Sequence, residues 1–157
     1  MKAVLCKAHG PARDLVLDEV ASPVPKRNEV LLQVHAAGVN FPDTLIIEGK
    51  YQFQPPLPFS PGGEAAGVVL EVGDKAGALK VGDRVMALTG WGSFAEQVAV
   101  PGYNVLPIPA SMDFNTAAAF SMTYGTSMHA LKQRANLQPG ETLLVLGASG
   151  GVGLAAV

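Results

Sequence analysis

Apolar and polar residues alternate in short runs broken by glycine and proline, and each run predicts a strand rather than a long helix. Lys2–Cys6 alternates weakly and stops at His9-Gly10-Pro11, a turn signal; Leu15, Leu17 and Val20 resume an extended pattern. Glu29–Val39 predicts a longer strand between Pro25 and the break at Gly38. Ala65–Val72 and Val81–Leu88 predict two more around a Gly-Asp-Lys turn, and Phe94–Val100 another before Pro101-Gly102. One helix interrupts this series. Pro42–Gly49 carries proline in its first turn, an early Asp43 and a terminating glycine. The coil from Tyr51 to Pro61 holds four prolines and three aromatics, which excludes a helix or central strand.

The texture changes after Pro109. Ser111 is placed to cap an alanine-rich run, predicting a helix from Ala117 through Leu131 despite Gly125, ended by Pro139-Gly140-Glu141. A boundary near Pro107–Ser111 follows, dividing the chain into 1–110 and 111–157. From Thr142 a fully apolar strand is predicted, Leu143–Leu146, of the kind that helices cover on both faces. Gly147, Gly150 and Gly153 follow at a spacing of three, with Gly151 and Val152 between them and alanines after. Strand, glycine turn and helix start form the opening unit of a dinucleotide-binding fold: one bare position permits the turn, one admits a pyrophosphate to backbone amides, one lets helix and strand pack.

The 157 residues include 18 glycines and 12 prolines, too many for a helical bundle. A net charge of −2 gives no electrostatic footprint for nucleic acid or an anionic membrane. No segment reaches the ~20 apolar residues of a membrane span, and the start lacks a signal-peptide core, so a cytoplasmic location is expected. Cys6 is the only cysteine, which rules out an internal disulfide and a cysteine-based structural zinc site.

Several motifs fall in a recognisable order: Gly38-Val39-Asn40-Phe41-Pro42-Asp43; Gly49-Lys50-Tyr51; Pro55 through Pro61-Gly62-Gly63-Glu64-Ala65-Ala66-Gly67; Val81-Gly82-Asp83-Arg84-Val85; Tyr124-Gly125-Thr126 with Ala130-Leu131; and Pro139-Gly140-Glu141. Over essentially its whole length the chain resembles the medium-chain dehydrogenase/reductase superfamily, in its zinc-free, zeta-crystallin-like quinone oxidoreductase branch. The resemblance implies a mainly β fold with helices: a GroES-like β-barrel carrying the substrate site, followed by the first strand and helix start of a truncated Rossmann domain. Relatives are usually about twice as long. Since a lone apolar strand is not independently stable, the 157 residues are expected to be part of a longer chain and inactive alone.

The same resemblance bears on metal. In the zinc alcohol dehydrogenases a cysteine stands at the place of Asn40 and a histidine at that of Gly63; amide and glycine cannot replace them. No zinc is expected, and hydride transfer then needs an electron-poor acceptor such as a quinone or another α,β-unsaturated carbonyl compound. NADPH is the cofactor the family implies, with NADH as the alternative. Asn40 would stand beside nicotinamide and substrate, or simply form a turn after its strand. Tyr51 would stack on a quinone or pack under the proline-rich coil. Leu45 replaces a tyrosine of some relatives and admits enones other than quinones. Thr126, with Thr123 as a second candidate, would meet the nicotinamide amide or bond back to its own helix. Glu64 is expected to brace the barrel. Gly147, Gly150, Gly151, Val152 and Gly153 would hold the pyrophosphate.

His9, His35 and His129 lie on unrelated elements without ligand spacing, and Cys6 reads as an inert buried thiol. The partner expected is a small molecule, with homodimers formed by full-length relatives. Two further readings stand beside the reductase: a GroES-like binding or oligomerisation module without catalysis, and an enoyl-thioester reductase.

Overall fold

A computed structural model describes all residues from Met1 to Val157. They divide into two compact units, Met1–Ala119 and Phe120–Val157.

In the first unit, β1 (Lys2–Leu5) pairs antiparallel with β2 (Val16–Glu19). β3 (Glu29–Gly38), β4 (Glu64–Val72), β5 (Arg84–Leu88), β6 (Gln97–Pro101) and β7 (Val105–Pro107) form a five-stranded antiparallel sheet in the order β6-β3-β4-β5-β7. The small sheet is tied to the large one by backbone bonds from Val4 N–H to the Phe94 carbonyl (2.8 Å) and from Glu96 N–H to the Lys2 carbonyl (3.0 Å). Cys6 and Phe59 exchange a further pair, which fastens the proline-rich coil to the end of β1.

Alternation sets the core. Val30 and Leu32 on β3, Val85 and Ala87 on β5, and Val98 and Val100 on β6 all point into one cluster with Val69. A one-residue slip would turn each set to solvent, so the inward faces specify register as well as stability. Two register shifts, between Leu31 and Leu32 and between Val34 and Ala36, bend β3 against β4. At Gly67 the strands come so close that any Cβ would overlap the Gln33 carbonyl oxygen.

The helix predicted after Gly38 is α1 (Phe41–Ile47). Strand starts differ at two places. β5 begins at Arg84 because Val81-Gly82-Asp83 is a turn, with Gly82 at φ +91°, and β6 begins at Gln97 rather than Phe94. β7 is an addition to the expected strands; it has three residues and ends in proline.

The single helix expected across Ala117–Leu131 is two. α2 (Phe114–Ala118) is capped by Asp113, not Ser111: the Asp113 carboxylate accepts from Thr116 N–H at 2.8 Å and from the Thr116 hydroxyl at 2.7 Å. α2 packs Ala117 and Ala118 against Ala66 and Ile108, so it belongs to the first unit although the change of texture lies ahead of it. Phe114 is held between the His35 ring (centroids 4.4 Å apart) and the Arg84 guanidinium (4.1 Å), whose Nη2 donates to the Met112 carbonyl at 2.6 Å.

In the second unit, α3 (Ser121–Met128) runs into a π-helical turn, His129–Arg134, and ends well before Pro139. α4 (Gly151–Ala156) follows the glycine turn. The strand expected over Leu143–Leu146 has no ladder. A β-strand needs a hydrogen-bonded neighbour, and the unit contains no second strand; Leu144 and Leu146 are accordingly 80% and 84% exposed. No helix is long and apolar enough to cross a membrane.

Candidate functional site

Where β3 ends, Gly38 faces Glu64 in register, and there is no room for a side chain at Gly38 between the Glu64 carboxylate and the Ala118 carbonyl. Two residues later Asn40 leaves the strand in extended conformation and caps α1. Its backbone N–H donates to Asp43 Oδ2 at 2.7 Å, and Asp43 N–H returns to the Asn40 carbonyl at 3.0 Å. The Asp43 carboxylate thus takes the N-cap amide, the N3 half of a capping box. The Asn40 side chain also reaches across the site: Nδ2 donates to Glu64 Oε1 at 2.9 Å. Glu64 is 2% exposed, so it braces the sheet interior through an amide partner.

Asp43 is buried too. Burial pushes its carboxyl above the ordinary value, opposed by the backbone N–H groups of Asn40, Gly62 and Gly63, which favour the charged form. Gly62, at φ +96°, and Gly63 thus turn their amides toward the helix start while their carbonyls face the other way. Thr89 N–H donates to the Gly63 carbonyl (2.9 Å) and the Thr89 hydroxyl to that of Gly62 (2.9 Å), with the buried Ser93 hydroxyl 2.7 Å from Thr89 Oγ1. Asn40, Asp43, Glu64, Gly62, Gly63, Thr89 and Ser93 therefore form one hydrogen-bonded network across three segments.

Tyr51 stands outside that network. It is half-buried against Cys6, Ile46, Ile47 and Phe59, and its ring meets Phe53 edge-on at 5.1 Å. Phe53 in turn lies 5.9 Å from Trp91, tilted by 46°. Cys6 is in the same cluster; burial pushes its thiol pKa up, and Sγ donates to the Ala8 carbonyl at 3.2 Å.

In the second unit Gly147 is left-handed (φ +72°) and accepts from Gly150 N–H at 3.0 Å, closing the turn from which α4 starts. A Cβ at Gly153 would overlap the Gly147 carbonyl, and one at Gly151 would lie 2.9 Å from Thr123 Cγ2. Two of the glycines are thus required by close packing. Val152 is held from behind: the buried Ser127 hydroxyl donates to its carbonyl at 2.7 Å. The turn and Ser127 line a cavity of about 450 Å³. Thr123 joins this group, packed under the turn, whereas Thr126 is exposed.

Asp43, Ser127, Phe53 and Trp91 escaped the sequence reading as site residues. Asp43 carries a legible signal, an acidic residue three positions after an asparagine at a helix start. Ser127 carries none, since its partner lies 25 residues further on.

Residues 26–110 match the family described as the alcohol dehydrogenase GroES-like domain. The chain is 43% identical over 157 residues to the quinone oxidoreductase-like protein 2 homolog of Nematostella vectensis, covering 99% of this chain and 43% of the relative. It is 44% identical to the quinone oxidoreductase of Homo sapiens, covering 94% of this chain and 45% of the relative. The quinone oxidoreductase of Thermus thermophilus, solved alone and in complex with NADPH, superposes with a TM-score of 0.86 at 39% identity over 99% of this chain and 48% of that structure. The chain therefore spans less than half the length of these relatives. By strand order, by its glycine turn and by these likenesses, it belongs to the medium-chain dehydrogenase/reductase superfamily, on the quinone oxidoreductase branch, with a GroES-like domain in its first part.

Proposed function

We propose that this protein serves as a zinc-independent, NADPH-dependent oxidoreductase that reduces quinones or other α,β-unsaturated carbonyl compounds by hydride transfer. The observation that carries the reading is the bond from Asn40 Nδ2 to Glu64. A neutral amide stands at the strand end, the neighbouring Gly63 offers no side chain, and the Glu64 carboxylate is engaged by the amide. One carboxylate already bonded by an amide is not the set of three thiolate, imidazole or carboxylate ligands that catalytic zinc takes. The one cysteine is buried in a different cluster. With no Lewis acid to polarise an unactivated substrate, the acceptor must already be electron-poor.

The glycine turn suits a dinucleotide, since Gly147, Gly150 and Gly151 carry no side chain to keep a phosphate from the backbone, and Ser127 and Thr123 brace it from behind. The Thermus relative's complex with NADPH supports the choice of cofactor. Bound there, the nicotinamide would supply the hydride. The chain's own residues supply position: one Asn40 amide hydrogen is spent on Glu64, leaving the other to orient the reacting partners. In the same reading Tyr51 gives an aromatic wall, Thr123 and Thr126 hydroxyls serve the nicotinamide amide, and the protein works as a cytoplasmic homodimer.

NADPH oxidation with 9,10-phenanthrenequinone, set against NADP reduction with a simple alcohol, tests this. Quinone turnover insensitive to chelator is expected. Alcohol turnover abolished by a chelator overturns it.

A further inference from the structure

Trp91 stands between two left-handed glycines, Gly90 at φ +76° and Gly92 at φ +103°. Side chains tolerate such angles poorly, so Gly-Trp-Gly presents one large ring on a tight turn. The turn is fastened beneath: Gly92 N–H donates to the Ser60 carbonyl at 2.8 Å, and Thr89 bonds to Ser93 and to the Gly62 carbonyl. Trp91 is nevertheless 44% exposed, although an indole is on average highly buried. Phe53, itself against Tyr51, steadies the ring.

Trp91 also lines a cavity of about 410 Å³, together with Pro56, Pro58, Phe59, Ser60 and Gln97. That volume lies within the roughly 300–1,000 Å³ of ligand pockets, and the mix of apolar walls with few polar groups is theirs as well. Neither Asn40 nor Tyr51 lines it, and no charged side chain does. The one charge at its edge, the Met1 ammonium, is engaged by the Val20 carbonyl at 2.8 Å. The Ser60 hydroxyl of the cavity has bonding capacity unspent: it reaches only the Pro61 carbonyl, at a marginal 3.5 Å.

We infer that this cavity is a binding site, separate from the Asn40 network, for an uncharged planar aromatic compound bearing a carbonyl oxygen. Its ring lies against Trp91 and the flat proline walls, and its carbonyl accepts from the Ser60 hydroxyl. An acyclic aliphatic carbonyl compound would satisfy Ser60 but leave the indole uncovered, and a charged ligand would find no side chain of opposite charge.

Trp91 is the only tryptophan of the chain, so its emission comes from the wall of this cavity. The experiment titrates the chain with 9,10-phenanthrenequinone in the absence of NADPH, with free N-acetyltryptophanamide as the reference for non-specific quenching. Saturable quenching beyond that reference is expected, undisturbed by an excess of an acyclic enone. Ser60→Ala weakens the apparent affinity roughly fivefold, as loss of one hydrogen bond does. Asn40→Ala leaves it within about twofold, and Trp91→Phe retains binding by equilibrium dialysis. Quenching that never saturates, or affinity lost with Asn40→Ala but kept in Ser60→Ala, overturns the site. Because no cofactor is added, failure of the reductase reading leaves this result standing, and the reverse.

Discussion

Asn40 donates its side-chain amide to Glu64 Oε1 across 2.9 Å and 24 residues of sequence, joining the start of α1 to the start of β4. Asn40→Ala removes a donor from a buried carboxylate and is expected to cost about 1–2 kcal/mol in urea unfolding. Asn40→Asp sets two carboxyl groups together and is expected to cost more. An alanine variant as stable as the parent would show that the bond is incidental.

Asp43 gives a pH dependence of definite sign. Its folded pKa is raised by burial above the ordinary 3.8, so the fold favours the protonated form. The stabilisation this supplies is complete below the unfolded value and lost as pH rises through the folded one. The exposed Asp18, Asp74 and Asp113 are lowered by their partners, Lys7, Arg27 and Thr116 foremost, and act in the opposite direction. Comparison with Asp43→Asn cancels those shared contributions. As pH falls through the carboxylate range, the parent's unfolding midpoint should rise relative to the variant's; a constant difference contradicts the shift.

Gly67 tests the closeness of β3 and β4. Its missing Cβ would overlap a backbone oxygen, which cannot swing aside as a side chain can. Gly67→Ala is expected to destabilise by about 3 kcal/mol, more than the same change at Gly77, where nothing lies within 4 Å but φ is +97°. Chemical denaturation of the two variants side by side decides it.

Arg84 holds Phe114 and the Met112 carbonyl together. Arg84→Ala is expected to cost about 2 kcal/mol, and Arg84→Lys to recover only part of it, because an ammonium lacks the planar face and fork. A double-mutant cycle with Phe114→Leu should give a coupling of about 0.5–1 kcal/mol.

Ser127 should act locally. Ser127→Ala is expected to cost about 1 kcal/mol and to speed hydrogen exchange at Leu154, whose N–H bonds to the Gly150 carbonyl at 2.8 Å. Unchanged exchange there would mean that the glycine turn needs no support from α3.

Much of the first unit was legible because its strands obey two local rules: inward residues alternate, and glycine or proline stands at the ends. β3, β4 and α1 carry the second signal, with Gly38, Gly73 and Gly49 at their ends, and their bounds came out within a residue or two. β7 ends in proline, but its three residues are too few to show an alternation. Asn40 was legible as a site residue from its motif, but its bond to Glu64 was not, since that depends on the register of β3 against β4. Leu143–Leu146 shows the converse limit. Apolar residues advertise a strand, while the ladder depends on a neighbour, which residues 120–157 do not provide. The break between α2 and α3 was hidden by the alanines Ala117–Ala119 before it, good helix formers with no breaker after them; the Ala118 carbonyl at the end of α2 faces β3 at Gly38.

Cys6 has a practical consequence. It is 1% exposed, its thiol is engaged with carbonyl oxygens, and burial holds it away from the reactive thiolate. Thiol-specific reagents should therefore pass the folded chain by. A cysteine introduced at an exposed position such as Tyr103, 81% exposed on the first unit, would be the sole attachment point for a fluorophore or spin label without removal of the native one.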